Sequence, residues 1–457
     1  MSTIVTQNFK KELMIGTIRS INNTTENYYI GVSRSNPWNA TDSAPAAKDN
    51  IRIQNEFRNG LQSIHRVAAA SLVVPRKSWS TGSTYLAYDD KKDLADYGSE
   101  FFYVANSNHD VYICLRQGTD ATGAAVASTV QPTGSNNDPF ETSDGYVWKF
   151  LYTISALDAT LFMTNDHMPI DRILATDSNS TGNEIKQYEI QNTAKPGMIT
   201  AFEVTAGGTS YTNPSVNING VNYPTLVDFT LDSPSGTIVK AEYNPDSSGT
   251  TLNYIHGLRG AQVTLTDSNG TNGEVRAIMS SGLGIGGDAS SDLKCGSMMI
   301  GVRVDGNTSD WLLNQDYRQI GIIRGIKDSA QGTQWTNLTG GALQSMTLAT
   351  QTVAFTTDEV IVGATSGAKA YVDQTNGNTI LFHQNDSTGY VGFVANETLT
   401  EMSGPGQGTI GNPLIASEVD PFTGEILYID NRSAVTRVAN QTEDIKIVIQ
   451  LDECSWP

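Results

Sequence analysis

The segment DGYVWKFLYTI, Asp144 to Ile154, places Tyr146, Trp148, Phe150, Tyr152 and Ile154 at every second position behind the turn signal Asp144-Gly145. That spacing predicts a strand, because alternate side chains leave a strand by the same face. Its other positions are also apolar apart from Lys149 and Thr153, and such strands are usually buried on both sides. Core packing is the favoured reading of the ladder, a subunit interface is the alternative, and a sugar platform is disfavoured. The same argument predicts strands in SLVVP, EFFYVAN and DVYICLRQ, between Ser71 and Gln117. The polar stretch from Gly118 to Gly145 then reads as a partner-binding arm or a mobile flap.

Helical spacing is rarer. Ile4, Phe9, Leu13 and Ile18 predict one short helix. Asp49 or Asn50 can cap a second, in which Ile53, Phe57, Leu61 and Ile64 form one buried stripe and His65 is a helix-end residue. A third is predicted in SALDATLFM, from Ser155.

After Met198 the chain turns to Gly, Ser, Thr and Asn. The segments from Ile199 and Ile238 share a strand, a small-residue turn and a Tyr, a hint of duplication. A clearer repeat is FTTDEVIVGATSG from Phe355 and FVANETLTEMSG from Phe393, as expected of two copies of a β-hairpin unit. Dense apolar patterning returns at WLLNQDYRQIGIIRGIKD from Trp311, and the stretch from Gly424 to Leu451 alternates like a closing strand pair. The expected organisation is a discontinuous core of residues 1–198, 311–330 and 420–457. Two β-rich insertions, 199–310 and 331–419, interrupt it. The fold class expected is mainly β with a few helices, α+β in character.

Composition narrows the partners. A formal net charge of −19 disfavours nucleic acid and anionic membranes, which need clustered Lys and Arg. Cys114, Cys295 and Cys454 are too few and too scattered for a disulfide framework or a Cys-rich zinc site, so a reduced, cytosol-assembled protein is expected. The N-terminal stretch lacks the apolar core of a signal peptide, and no run of about 18 apolar residues offers a membrane span.

No catalytic pattern emerges. There is no Gly-x-Ser-x-Gly elbow and no His-Glu-x-x-His helix, and the five His residues are isolated from one another. DSNGTNGE from Asp267 has Asn272 where a calcium loop needs Gly, and reads as a polar hairpin turn. GLGIGG from Gly282 lacks the strand and helix of a phosphate site and reads as a flexible connector. Neither catalysis, a cofactor, a metal nor a small-molecule ligand is expected.

Seven segments, in order, carry a resemblance: YYIGVSRSNPW from Tyr28, VVPRKSW from Val73, DGYVWKFLYTI, FMTNDHMPI from Phe162, DYRQIGII from Asp316, GEILYIDNR from Gly424 and NQTEDIKIVIQL from Asn440. Together they resemble the baseplate wedge subunits of T-even-type contractile-tailed phages, which are dimeric β-sandwich proteins. Ser33 and Asn36 depart from that pattern, where Gly and Glu are expected, and Arg432 is followed by Ser-Ala in place of Pro-Pro. The two insertions lie outside the resemblance.

The resemblance implies a β-sandwich core and a non-enzymatic virion protein of the tail baseplate, assembled in the host cytoplasm. It would act as a homodimer and through contacts with other wedge proteins. Arg34, Pro37 and Trp38, with Arg76 and Trp79, have the composition of interface anchors. Trp38 and Trp79 could equally close the core. Asp144, Gly145, Tyr146, Trp148, Arg318, Asn431 and Arg432 are the remaining motif candidates. The alternative expectation is a receptor- or polysaccharide-binding tail adhesin whose insertions present aromatic residues to sugars.

Overall fold

The computed structural model describes residues 5–23, 26–67, 69–177, 179–244, 254–304, 315–438 and 441–451, without the side chains of 412 and 413. Ile4, Trp311, Asn440 and Cys454 lie outside the described residues. The protein is mainly β, with a few short helices. It divides into one unit of residues 1–15, 71–299 and 448–457, and another of residues 16–70 and 300–447.

In the first unit, the strand Val147–Thr153 pairs with Asp110–Arg116 and with Phe140–Glu141. All but its last residue are buried, so both faces are covered. The aromatic ladder does not stay on one face, however. Tyr112 opposes Phe150 and Val111 opposes Tyr152, leaving Leu151 as an extra residue that shifts the register. This bulge puts Tyr146, Trp148 and Phe150 with Tyr85, Tyr112 and Ile190, while Tyr152 and Ile154 join a larger core. That larger core holds residues from Val74 to Ile170 together with residues from Met198 to Cys295.

Several expectations are corrected within this unit. The polar loop before the aromatic strand is fastened: Asp144 accepts the N–H groups of Thr129 (2.7 Å) and Val130 (2.9 Å). The residues from Gly284 to Gly287 are buried, because Asp292 accepts the Gly286 N–H at 2.7 Å and the Ser281 hydroxyl at 2.5 Å. The last four residues of GLGIGG are therefore a packed turn and not a flexible connector, while Gly282 and Leu283 are exposed. The turn at Asp267 links strands of two different sheets, since Val263–Thr266 pairs with Ser215–Ile218 and Thr271–Met279 pairs with Ile199–Thr209. The segments from Ile199 and Ile238 also pair with different strands. A helix Gly182–Thr193, capped by Thr181, escaped the pattern reading because its period is weak, with only Gln187 and Ile190 buried.

The N-terminal helix spans Gln7–Asn22, but its buried positions are Lys10, Met14 and Ile21, while Phe9 and Leu13 are exposed. Apolar character alone gives the wrong phase here, because the Lys10 stem completes the stripe.

In the second unit, five antiparallel strands run in the order Thr339–Gly341, Leu61–Arg66, Tyr28–Ser33, Asp316–Arg324, Glu425–Thr436. The second predicted helix ends at Asn59, shorter than expected, although Asn50 caps it by accepting the Ile53 N–H. Gly60 stops it, and Leu61 and Ile64 belong to a strand whose tertiary pairing overrides the helical spacing. His65 is thus a buried strand residue opposite Ile30 and Thr339, and not a helix-end residue.

One contact fixes this helix on the sheet. Gly31 and Gly321 face each other across two neighbouring strands. A Cβ on Gly321 would lie 2.5 Å from the Phe57 ring, and one on Gly31 would lie 2.8 Å from Leu61. Phe57, fully buried, fills the hollow that the missing side chain of Gly321 leaves.

Residues Gln344–Ile415 form a closed six-stranded barrel. It is built twice over from segments 38 positions apart. The Ala364 N–H bonds Thr398 O (2.9 Å) and the Met402 N–H bonds Val360 O (2.8 Å); the Asp358 N–H bonds Val372 O (2.8 Å) and the Asn396 N–H bonds Ile410 O (3.0 Å). Asp358 and Asn396 share the left-handed conformation, and Phe355 and Phe393 enter the same core. The strands Val360–Gly363 and Thr398–Glu401 pair about the pseudo-twofold, and so do Gln344–Val353 and Thr379–His383.

Gly321→Ala should lower stability by about 1–3 kcal/mol through overpacking against Phe57. Phe57→Leu should relieve part of that loss in the double variant. Urea unfolding of the two single variants and the double variant would reveal this coupling, and strictly additive losses would contradict it.

Candidate functional site

The structure gathers six motif candidates from three distant stretches into one cluster in the second unit. Its centre is Arg318, on the strand Asp316–Arg324, whose side chain is 5% exposed. Its Nε donates to both carboxylate oxygens of Asp42, at 2.8 and 2.9 Å, one terminal nitrogen bonds Asp316 at 3.1 Å, and the other bonds Ser35 O. A guanidinium buried without such partners would be costly, so these acceptors are required for the strand to carry Arg here. Asp42 in turn accepts the Trp38 N–H (3.0 Å), which ties the irregular segment after Ser33 to the sheet. The Arg318 and Trp38 hydrogen bonds hold the Asp42 carboxyl below the usual carboxylate range.

This anchored segment presents Arg34, Pro37 and Trp38. The Arg34 guanidinium lies 4.2 Å from the centroid of the Trp38 ring and donates to Pro37 O. The Trp38 indole donates to Arg432 O at 2.9 Å, and Asn431 bridges Gln319 (2.9 Å) and Pro45 O (3.1 Å). Pro37 and Arg432 are exposed and Trp38 half-buried, so Trp38 is tethered at its edge and does not close a core. Sequence reasoning missed Asp42 and Asp316, the acceptors that make Arg318 tolerable; Asp42, four residues after Trp38, offered only a local turn signal.

The other six candidates lie in the first unit and serve its interior. Asp144 accepts the Ser128 hydroxyl (3.0 Å) besides the loop N–H groups, and Ser128 accepts the Trp79 indole N–H (3.1 Å). Gly145, at φ +84°, makes the turn into the strand. Tyr146 donates to Val126 O (2.6 Å) and stacks on Trp148, with centroids 5.7 Å apart. Arg76 donates to Thr164 O at 3.0 Å. Burial pushes the Asp144 carboxyl up, yet the bonds from Thr142, Val130, Thr129 and Ser128 prevail and its pKa is lowered.

Two further places offer polar groups. A cleft of about 430 Å³ in the first unit is lined by Asp158, Asp171 and Glu184, among others. Asp158 and Glu184 belong to helix N-terminal caps with Ser155 and Thr181, and Asp171 carries a pKa raised by burial. The second is Asp292, whose burial pushes its pKa up to about 7 against the Ser281 and Gly286 bonds, and Lys149, pulled down to about 8 by burial. Among the described residues no three His, Cys, Asp or Glu side chains form a group able to hold a metal ion.

No protein-family model matches the chain, and no curated protein matches it significantly.

Asp144→Ala should release the loop between Gly118 and Gly145, and limited proteolysis should then cut there faster than in the wild type. Unchanged cleavage would mean that the Asp144 bonds do not hold it. For Asp292, a folded-state pKa above that of the unfolded chain gives stability that is complete below about pH 4 and lost as pH rises towards about 7. Urea midpoints at about pH 5 and about pH 8 should therefore fall less in Asp292→Asn than in the wild type. An equal fall would remove Asp292 as a source of that slope.

Proposed function

We propose that this chain is a structural subunit of a contractile tail baseplate, a wedge protein acting as a homodimer and through contacts with neighbouring wedge subunits in the virion. The observation that carries this reading is the convergence of Arg34, Pro37, Trp38, Arg318, Asn431 and Arg432. Three of the seven ordered segments that resemble the family supply these residues. Ion pairs from the buried Arg318 to Asp42 and Asp316 hold the ridge in place, with Pro37 exposed and Arg34 and Trp38 half-buried, the composition and rigidity expected of an interface anchor. Its function in this reading is mechanical, exerted through protein contacts in a particle assembled in the host cytoplasm.

Light scattering coupled to size exclusion should give a dimer at micromolar concentration, and Arg432→Ala, which truncates an exposed side chain and keeps the backbone oxygen that holds Trp38, should weaken self-association or capture of a neighbouring wedge subunit without lowering the melting temperature. A monomer that binds no wedge subunit would defeat the proposal.

A further inference from the structure

The two halves of the barrel match in their backbone bonds but differ at one place. Ten residues lie between Phe382 and Phe393, whereas six lie between the equivalent Leu348 and Phe355, so this connection is four residues longer than its counterpart. At the same end, Asp373 occupies the bulge between Val372 and Gln374, where the other half has Gly411, and His383, paired with Tyr371, stands where the other half has Thr350, paired with Thr409. Asp373 is fully buried and holds His383 Nδ1 at 2.7 Å, while the His383 ring stacks on Tyr371 with centroids 5.4 Å apart. A buried Asp–His pair is costly to build into a barrel wall, and the other half manages without one. Docking of the longer loop explains Tyr390, which accepts from Asn59 and donates to Asp386, but not this pair.

The pair backs a cavity of about 230 Å³, whose lining includes His383, Asp386 and Ser387 on one side and Arg34, Arg52 and Glu56 on the other. Arg34 is held in the left-handed conformation, at φ +63°, and its Nε is buried with no hydrogen-bond acceptor. The lining thus mixes two guanidiniums with two carboxylates, a hydroxyl and an imidazole, while the buried Arg34 Nε lies behind it. A simple oxyanion would satisfy the guanidiniums but face Glu56 and Asp386. A cation would do the reverse. A hydroxyl group both donates and accepts, so neighbouring hydroxyls on one ring can serve both kinds of group.

We propose that this cavity is a binding site for a neutral polyhydroxylated ligand, one sugar unit of a glycan. His383, fixed by Asp373, and Arg34 are the positioning groups, while Arg52 and Glu56 close the open side. The site does not depend on the baseplate reading.

Saturation-transfer NMR on the full chain with glucose, galactose, mannose and N-acetylglucosamine at millimolar concentration tests it, with inorganic phosphate followed separately by its own resonance. At least one sugar should receive saturation. Its apparent affinity should drop about tenfold in Arg52→Ala, as for a lost charged hydrogen bond, and also in His383→Gln. Arg52 is largely exposed and pairs with Glu56, so its variant should melt like the wild type. Absence of transfer to every sugar, transfer unchanged in both variants, or phosphate binding alone would overturn the proposal.

Discussion

Two glycines facing each other across neighbouring strands set the geometry on which the second unit depends. Gly31 and Gly321 leave a hollow in an otherwise well-filled sheet, and Phe57 occupies the part over Gly321. The helix Ile51–Asn59 can then lie close to the strands, and its C-terminal turn at Gly60 returns the chain directly as their neighbour Leu61–Arg66. The Arg34 N–H bonds Gly60 O at 3.0 Å, so the same seat brings the Arg34 segment beside the helix end. A larger residue at Gly321 would therefore disturb the sheet, the helix and the exposed ridge together.

Charge is used in two different ways in this acidic chain. Arg318 is buried among Asp42, Asp316 and a backbone oxygen, where its role is to fix a loop. Arg276, near the surface, draws together Asp89, Asp90 and Glu203. Removing such a cation leaves carboxylates crowded without compensation, which in a protein of net charge −19 is a larger liability than the loss of one bond.

The sequence disclosed what depends on near neighbours. The doubly buried strand at Trp148, the Asn50 cap and the repeat at Phe355 and Phe393 could all be read from spacing, because period, cap and turn chemistry are local. It concealed what depends on partners far along the chain. The bulge at Leu151 arises from pairing with Asp110–Arg116 and divides the aromatic ladder between two cores. Leu61 and Ile64 fit a helix in isolation and a strand in context. Six candidate residues converge because Arg318 finds Asp42, 276 positions away, and no local pattern announces that meeting. The Asp373–His383 pair was hidden for the same reason: ten residues apart, they meet only because a turn folds two strands together.

The barrel starts and stops at one spot. The Glu418 N–H bonds Gly341 O at 3.0 Å, and the Gly341 N–H bonds the Glu418 side chain at 2.8 Å, so the chain leaves the sheet and rejoins it through adjoining residues. An intervening module whose two ends already touch imposes almost no geometric demand on its host. Lineages could acquire, exchange or lose the whole barrel in a single genetic event while the five-stranded sheet kept its register.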